Sequence, residues 1–167
     1  MERLCMPKEI ERKFLVAGDG WRAEAAPGRR FRQAIVFSEA ERTLRVRVVD
    51  SERATVTIKV GIEGSTMSRH EFEYQVPVSD GEELLSLANG NTIAKTRYDV
   101  PRGGHVWEID VYEGPLDGLI VAEVEMNSED EKPELPDWLG RELTGDKRFS
   151  NQALAQGSLG ENWRDAL

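Results

Sequence analysis

Like-charged side chains recur two residues apart at several points along this chain of 167 residues. The acidic pairs include Glu9 with Glu11, Glu71 with Glu73, Glu108 with Asp110, and Glu123 with Glu125; the basic pairs include Arg45 with Arg47 and Lys95 with Arg97. Carboxylates are preferred ligands of hard divalent cations such as Mg²⁺ and Mn²⁺. Lys and Arg side chains bind phosphate oxygens. A site that combines both kinds of pair therefore predicts a metal-bound polyphosphate as its ligand.

Each pair lies in a segment where apolar residues alternate with polar ones, which indicates a β-strand. About eight such strands are predicted, a usual number for one sheet or barrel. Because successive side chains of a strand point to opposite faces, one face is apolar and the other is charged. Lys13, Lys59 and Arg69 also lie on the charged face. A solvated sheet face is the alternative, but repulsion between like charges favours a binding site.

Helical segments are few in the sequence. We expect a short helix within residues 19–26, which ends before Pro27. A second helix is predicted to begin at Ser79 or Asp80 and to end at Asn89-Gly90. A third is predicted to begin at Ser150 or Asn151 and to end at Gly157. Trp21, Trp107, Trp138 and Trp163 show no stacking pattern, so we expect them to cover the outside of the strands.

The overall charge argues against two classes of partner. Acidic residues number 31 and basic residues 22, so the net charge is −9, which is unfavourable for binding to nucleic acid or to a membrane surface. Cys5 is the only cysteine and cannot form an internal disulfide, as expected in a reducing compartment. No apolar run is long enough for a secretory signal or a bilayer span. We therefore expect a cytoplasmic protein with one domain, residues 1–167, whose core covers about residues 8–157.

The sequence Glu9-Ile10-Glu11-Arg12-Lys13 resembles the Glu-x-Glu-x-Lys opening of the CYTH superfamily, the triphosphate tunnel metalloenzymes. Residues 45–47, 57–59, 69–73, 95–98, 107–111 and 122–125 resemble the later strands of that superfamily in order and spacing. Residues 136–140 and 144–151 are similar to the closing segment of its short bacterial members. The resemblance covers roughly residues 8–157 and is closest to the inorganic tripolyphosphatase branch.

This resemblance implies a mainly β (α+β) fold: a closed eight-stranded antiparallel β-barrel that forms a tunnel, with a few short covering helices. It implies that carboxylates bind Mg²⁺ or Mn²⁺, namely Glu9, Glu11, Asp110, Glu123 and Glu125, with Glu71, Glu73 and Glu108 as additional candidates. The implied phosphate-binding residues are Lys13, Arg45, Arg47, Lys59, Arg69, Lys95 and Arg97. Lys13, Lys95 and Glu11 are the catalytic candidates, and the alternative role for each lysine is a plain phosphate contact.

The implied reaction is metal-dependent hydrolysis of a triphosphate, with inorganic tripolyphosphate as the favoured substrate. The alternatives are a thiamine or nucleoside triphosphatase, an adenylate cyclase of the same superfamily, and a non-catalytic module that binds polyphosphate or nucleotide. A homodimer is left open. One element departs from the family: short members often carry Gln-Gly-Tyr-Leu in the second strand, where this chain has Gln33-Ala34-Ile35-Val36 and lacks the tyrosine hydroxyl.

Overall fold

Antiparallel strands dominate the structure, a computed structural model that describes residues 8–88 and 92–160. The strands are β1 (Lys8–Val16), β2 (Arg29–Glu39), β3 (Arg42–Val49), β4 (Arg53–Gly61), β5 (Ser68–Val76), β6 (Thr92–Arg102), β7 (His105–Tyr112), β8 (Ile120–Glu125) and β9 (Leu139–Glu142). The α-helices are α1 (Val78–Leu87) and α2 (Asn151–Ala155). Short 3₁₀ helices cover Gly20–Ala23, Gly114–Leu116 and Lys147–Phe149.

The first eight strands close into a ring, as predicted. Their order is β5-β4-β3-β2-β6-β7-β8-β1, and the first residues of β1 pair back onto β5, where Lys8 lies opposite His70. The other edge of β1 pairs with β8. A ninth strand, β9, was not predicted and pairs with β1 beyond its contact with β5, opposite Phe14 and Val16. The paired stretch between β1 and β5 is short. The ring is therefore closed there with little overlap of the two strands.

The strand register places the charged face inside the ring. Glu11 lies opposite Glu125, and Lys13 lies opposite Glu123. Arg97 of β6 contacts Glu123 of β8, although β7 separates these two strands. Such a contact requires both side chains to point into the enclosed space, which we call the lumen. The face that the alternation predicted to be charged is therefore the interior, as the family resemblance implied.

The outer face is apolar and is covered by helices and loops. Helix α1 packs on Val46, Val48 and Ala54, and a Cβ added at Gly81 would lie 2.5 Å from the Ala54 Cβ. Glycine is therefore required for this close approach of the helix to the sheet. Elsewhere the buried rings of Trp21, Trp107 and Trp138 pack with Phe14 and Val124. These three tryptophans cover the outer face of the strands, as predicted, whereas Trp163 lies outside the described residues.

One end of the lumen is closed by apolar side chains. Leu15, Tyr112 and Val121 continue the lumen face beyond the charged residues, and they pack against Phe149 and Leu154 from the segment after β9. The Tyr112 hydroxyl donates a hydrogen bond of 3.1 Å to Asn151. The closed end gives the charged part of the lumen a defined depth.

The helix boundaries agree with the sequence only in part. Ser150 precedes α2 and accepts a hydrogen bond of 3.1 Å from the Ala153 amide, as predicted. Helix α1 instead begins at Val78, directly after Pro77, with no side-chain cap, so the prediction of Ser79 or Asp80 as the capping residue was wrong. The predicted end at Asn89-Gly90 lies outside the described residues. Residues 19–26 hold only a four-residue 3₁₀ helix. Among the described residues, every helix is too short or too polar for a bilayer crossing.

Candidate active site

Charged side chains of the lumen form two networks of ion pairs. The first, which we call the β1–β5 network, consists of Glu9, Glu11, Lys59, Arg69 and Glu71. The Lys59 Nζ lies 2.9 Å from Glu9 Oε2 and 2.6 Å from Glu71 Oε2. Arg69 contacts both Glu9 and Glu11. This network lies where β1 closes the ring by pairing with β5. In it, the two carboxylates of the Glu-x-Glu sequence form ion pairs with cations of other strands.

The second set, which we call the β6–β8 network, is more deeply buried. Its members are Lys13, Lys95, Arg97, Glu108, Asp110 and Glu123. Arg97 donates to Asp110 Oδ1 at 2.6 Å and to Glu123 Oε2 at 2.9 Å, and it also contacts Glu108. Lys13 Nζ lies 2.8 Å from Glu123 Oε1, and Lys95 contacts Asp110. Each buried charge here has an opposite charge beside it, as buried ions require.

Two arginines of β3 lie between the networks and differ in their partners. Arg45 Nη2 lies 3.5 Å from Glu73 Oε2 and donates a hydrogen bond of 3.0 Å to Thr57. Arg47 instead donates its Nε hydrogen to Gln33 Oε1 at 3.2 Å. Within residues 8–88 and 92–160, Arg47 has no carboxylate in ion-pair contact. It is a partly buried cation on which Asp110 and Glu73 act only at longer range.

The pKa of Arg47 reflects this environment. Burial lowers it to about 9, and the positive charges of Arg45 and Arg97 act in the same direction. The guanidinium still remains charged at neutral pH. An anion that enters the lumen would offset the repulsion of Arg47 by Arg45 and Arg97. Arg47 therefore lies where the lumen has an excess of positive charge.

Glu125 is the acidic counterpart of Arg47. Glu125 is exposed at the end of β8, but partial burial of its carboxyl raises the pKa, and the charges of Glu9, Glu71 and Glu11 raise it further. In the part of the chain that the structure describes, Glu125 forms no ion pair. Several carboxylates thus share one region without enough cations, and their oxygens are the donors that a hard divalent cation prefers. The residues present therefore fit a divalent metal.

The carboxylates do not yet converge in this arrangement of side chains. Among the described residues, no three Asp, Glu, His or Cys side chains are grouped closely enough to hold a metal ion. The contacts of Glu9 and Glu11 with Arg69 give the physical reason, because these ion pairs turn both carboxylates toward the guanidinium. A metal that binds here must displace Arg69 from at least one of them.

The two catalytic candidates among the lysines differ in their pKa. Burial lowers the pKa of Lys95 to about 8, even though Asp110 acts against this shift. Burial also disfavours the charge of Lys13, but Glu123 and Glu11 outweigh it and raise its pKa. Lys13 is therefore fully protonated at neutral pH. The pKa of Lys95 is closer to neutral pH, and this residue has no exposed surface.

Every predicted site residue lies on the lumen face, and all except Arg47 and Glu125 make ion pairs within residues 8–88 and 92–160. The sequence did not point to Phe31, Gln33 and Tyr112, which share that face. The alternation of residues already placed Phe31 and Gln33 on the same face as Arg29. The lumen face of their strand carries no like-charged pair, however, so no signal in the sequence assigned that face to the interior.

The CYTH domain family matches residues 7–155 of this chain. The chain belongs to the CYTH family. It is 39% identical over 152 residues to an inorganic triphosphatase of Acetivibrio thermocellus, which covers 90% of this chain and 95% of the relative. An inorganic triphosphatase of Nitrosomonas europaea is 40% identical over 154 residues, covering 88% of this CYTH protein and 96% of the relative.

A solved structure of an inorganic triphosphatase has the same fold as this CYTH protein. The TM-score is 0.60 and the sequence identity 36%, with 88% of this chain and 93% of the solved chain covered. CYTH triphosphatases are metal-dependent enzymes, in agreement with the excess of carboxylates around Glu125. The family, the fold and the lumen thus agree with the resemblance seen in the sequence.

Proposed function

We propose that this CYTH protein is an inorganic triphosphatase that hydrolyses tripolyphosphate with Mg²⁺ or Mn²⁺. The observation that carries the proposal is that one lumen holds both a cation without an anionic partner and a carboxylate without a cationic partner. Among the described residues, Arg47 forms no ion pair with a carboxylate, and Glu125 forms none with a cation. A metal-bound polyphosphate supplies both kinds of missing charge together. The identities of 39% and 40% to inorganic triphosphatases support the same reaction.

Substrate binding is assigned to the basic side chains that surround the lumen. Arg47 makes the first contact, because its guanidinium has no ion pair with a carboxylate of the described residues to break. Arg45, Lys59, Arg69 and Lys13 then exchange carboxylate contacts for phosphate contacts. Arg side chains can bind phosphate through two parallel hydrogen bonds, which fixes orientation as well as adding affinity. Arg97 is held by three carboxylates and contributes charge to the wall of the site.

Metal binding is assigned to Glu9, Glu11 and Glu125, with Glu123 and Asp110 on the deeper side of the lumen. Carboxylates Glu71, Glu73 and Glu108 remain additional candidates. When bound, the divalent cation supplies neutralisation of the phosphate charge that develops during transfer to water. These carboxylates would hold the divalent cation beside the substrate. They bind a metal only when they are deprotonated.

Lys13 and Lys95 receive different roles in this proposal. Lys13 is protonated and partly exposed, which supports a direct phosphate contact. Lys95 has no exposed surface; it contacts Asp110 and lies 5.4 Å from the centre of the Tyr112 ring. This burial supports a positioning role for Lys95, which fixes Asp110, in place of the catalytic role that the resemblance implies. Phosphoryl transfer depends mainly on positioning and charge stabilisation, so a covalent role for the protein is not required.

A phosphate-release assay tests the proposed function. Tripolyphosphate, ATP, thiamine triphosphate and pyrophosphate are each supplied with Mg²⁺, with Mn²⁺ and with a chelator. We expect release from tripolyphosphate to be fastest and to stop when the metal is removed. Tight binding of tripolyphosphate without turnover would make the protein a binding module, and cyclic AMP formed from ATP would assign it to the cyclases.

Three further predictions concern the setting of this protein: a cytoplasmic location, a single domain over residues 1–167, and the absence of nucleic acid as a partner. The net charge of −9 supports the last of these. Whether the chain forms a homodimer is decided by light scattering of the purified protein at several concentrations.

A further inference from the structure

Phe31 places an aromatic ring on the charged face of the lumen. It lies on β2 opposite Lys95, and only 4% of the residue is exposed. Three guanidinium groups surround its ring: the Cζ atoms of Arg29, Arg47 and Arg97 lie 5.7, 4.9 and 5.5 Å from the ring centre. A single uncharged side chain thus contacts three cations that would otherwise repel one another.

Two of these arginines are held by carboxylates as well. Arg29 donates to Asp99 at 2.8 Å, and Arg97 donates to Asp110 at 2.6 Å. Arg47 forms no such bond to a carboxylate among the described residues. Its orientation depends on the Phe31 ring and on one hydrogen bond from its Nε to Gln33, a residue that is only 1% exposed.

The chemistry of an aromatic ring suits this position. The negative face of the ring attracts a cation through its quadrupole but carries no net charge. A carboxylate in the same place would hold Arg47 more strongly, but it would neutralise the guanidinium and repel an incoming phosphate. A ring therefore orients the arginine and leaves its charge available.

We propose that Phe31 is a positioning residue, which together with Gln33 holds the Arg47 guanidinium ready for a phosphate of the substrate. This inference rests on the proposed function, because it assigns Arg47 to triphosphate binding. A guanidinium has five N–H donors, and Gln33 takes one of them. The terminal nitrogens of Arg47 make no hydrogen bond within the described residues, so they remain free for paired bonds to phosphate oxygens.

The central test compares Phe31→Leu with Phe31→Tyr. Leucine keeps an apolar side chain without an aromatic face, and tyrosine keeps the face. A buried cation–π contact is worth enough that its loss raises the KM for tripolyphosphate by about 5- to 30-fold in Phe31→Leu. We expect kcat to change little and Phe31→Tyr to restore most of the lost affinity. An unchanged KM in Phe31→Leu, or an equal loss in Phe31→Tyr, would overturn the proposal.

Phe14→Leu is the matched control for loss of buried volume. Phe14 is also 4% exposed, but it lies on the outer face against the Trp107 ring. We expect this variant to lower the melting temperature about as much as Phe31→Leu while its KM stays at the wild-type value. A rise in KM of the same size in both variants would show that general destabilisation, and not the ring, causes the effect.

A double-mutant cycle shows whether Phe31 acts through Arg47. In an Arg47→Met background, Phe31→Leu should cause no additional rise in KM, because the positioned group is already absent. Equal rises in both backgrounds would refute the assignment. Calorimetric Kd values for tripolyphosphate separate this inference from the proposed function: a wild type that binds but does not hydrolyse refutes the function, and the Kd values still test Phe31.

Discussion

Lys13 Nζ and Glu123 Oε1 lie 2.8 Å apart, on residues that are directly opposite each other in β1 and β8. This contact joins a predicted phosphate-binding cation to a predicted metal-binding carboxylate. The same combination recurs where Arg69 contacts Glu11. Residues that would bind the substrate and residues that would bind the metal therefore neutralise one another before either ligand is present, which avoids the high free energy of unpaired buried ions.

Ligand binding in such a lumen is an exchange of partners. A phosphate can replace the carboxylate beside Lys13, and a divalent cation can replace the ammonium beside Glu123. Phosphate binding to Lys13 frees Glu123 for the metal, and metal binding to Glu123 frees Lys13 for phosphate. Substrate and metal should therefore bind cooperatively. The affinity for tripolyphosphate is thus expected to be higher with Mg²⁺ than without it, which calorimetric titration measures directly.

Glu11→Gln should weaken metal binding while the fold is kept. The change removes a negative charge from the region that Glu9 and Glu125 share, and an amide oxygen is a poorer ligand for Mg²⁺. We expect the Mg²⁺ concentration for half-maximal phosphate release to rise by about tenfold or more. Glu142→Gln is the control, since Glu142 pairs with Arg12 outside the ring. An unaltered Mg²⁺ requirement in Glu11→Gln would remove Glu11 from the metal site.

Arg47→Met should weaken substrate binding and stabilise the fold. Charge-assisted hydrogen bonds contribute about 1.5–3 kcal/mol each, so the KM for tripolyphosphate is expected to rise about 10- to 150-fold. Arg47 forms no ion pair with a carboxylate in the part of the chain that the structure describes, and burial and neighbouring arginines disfavour its charge, so an apolar side chain of similar length should raise the melting temperature. Arg32→Met, which removes an ion pair with Glu82, is the control and should leave KM unchanged. A lower melting temperature in Arg47→Met would contradict this expectation and would show that the contacts of Arg47 with Gln33 and Phe31 outweigh the cost of burying its charge.

Alternation along single strands predicted the charged face, and the resemblance to the CYTH superfamily implied that this face lines a closed ring. The pair Glu123 and Glu125 shows this: two carboxylates on one face of one strand need only the period of two to be recognised. The sequence could not predict that Glu123 would form ion pairs with Lys13 and Arg97, whereas Glu125 would lie near other carboxylates. That difference depends on which strands lie side by side, and alternation holds no information about strand order.

The same limit applies to the uncharged residues of the lumen. Phe31 and Gln33 lie among arginines in the sequence, and β2 could have presented either face to the interior. Only the pairing of β2 with both β3 and β6 places them beside Arg47 and Lys95. The closed end of the lumen also arises from long-range packing, in which Phe149 and Leu154 meet Leu15 from the opposite end of the chain.

The protein should lose stability in acid through the β6–β8 network. Burial opposes ionisation of Glu123, but Lys13 and Arg97 outweigh it and hold its pKa well below the usual value; Arg97 and Lys95 lower that of Asp110. A lowered carboxyl pKa adds stability above the pKa of the unfolded chain, and this stability is lost as pH falls toward the folded value. We expect the free energy of unfolding to decrease as pH drops below about 4.5.

Chemical denaturation at a series of pH values, without metal, checks this expectation. Glu123→Gln should be less stable than the wild type at neutral pH, because Lys13 and Arg97 lose a partner. Its stability should fall less steeply in acid, since one of the titrating groups is gone. Parallel pH profiles for the variant and the wild type would mean that Glu123 does not contribute to acid sensitivity.

Metal binding should become weaker as pH falls, and Glu125 should cause part of this dependence. Burial and the charges of Glu9, Glu71 and Glu11 raise the pKa of Glu125, so protons compete with the metal at a higher pH than for an ordinary carboxyl. We expect the dissociation constant for Mg²⁺ or Mn²⁺, measured by calorimetry without substrate, to increase as the pH is lowered from about 7 to about 5. Glu125→Gln should bind metal more weakly at neutral pH and should show a flatter pH dependence. Glu113→Gln is the control, because Glu113 pairs with Arg30 outside the lumen. If Glu125→Gln keeps the full pH dependence of the wild type, Glu125 does not bind the metal.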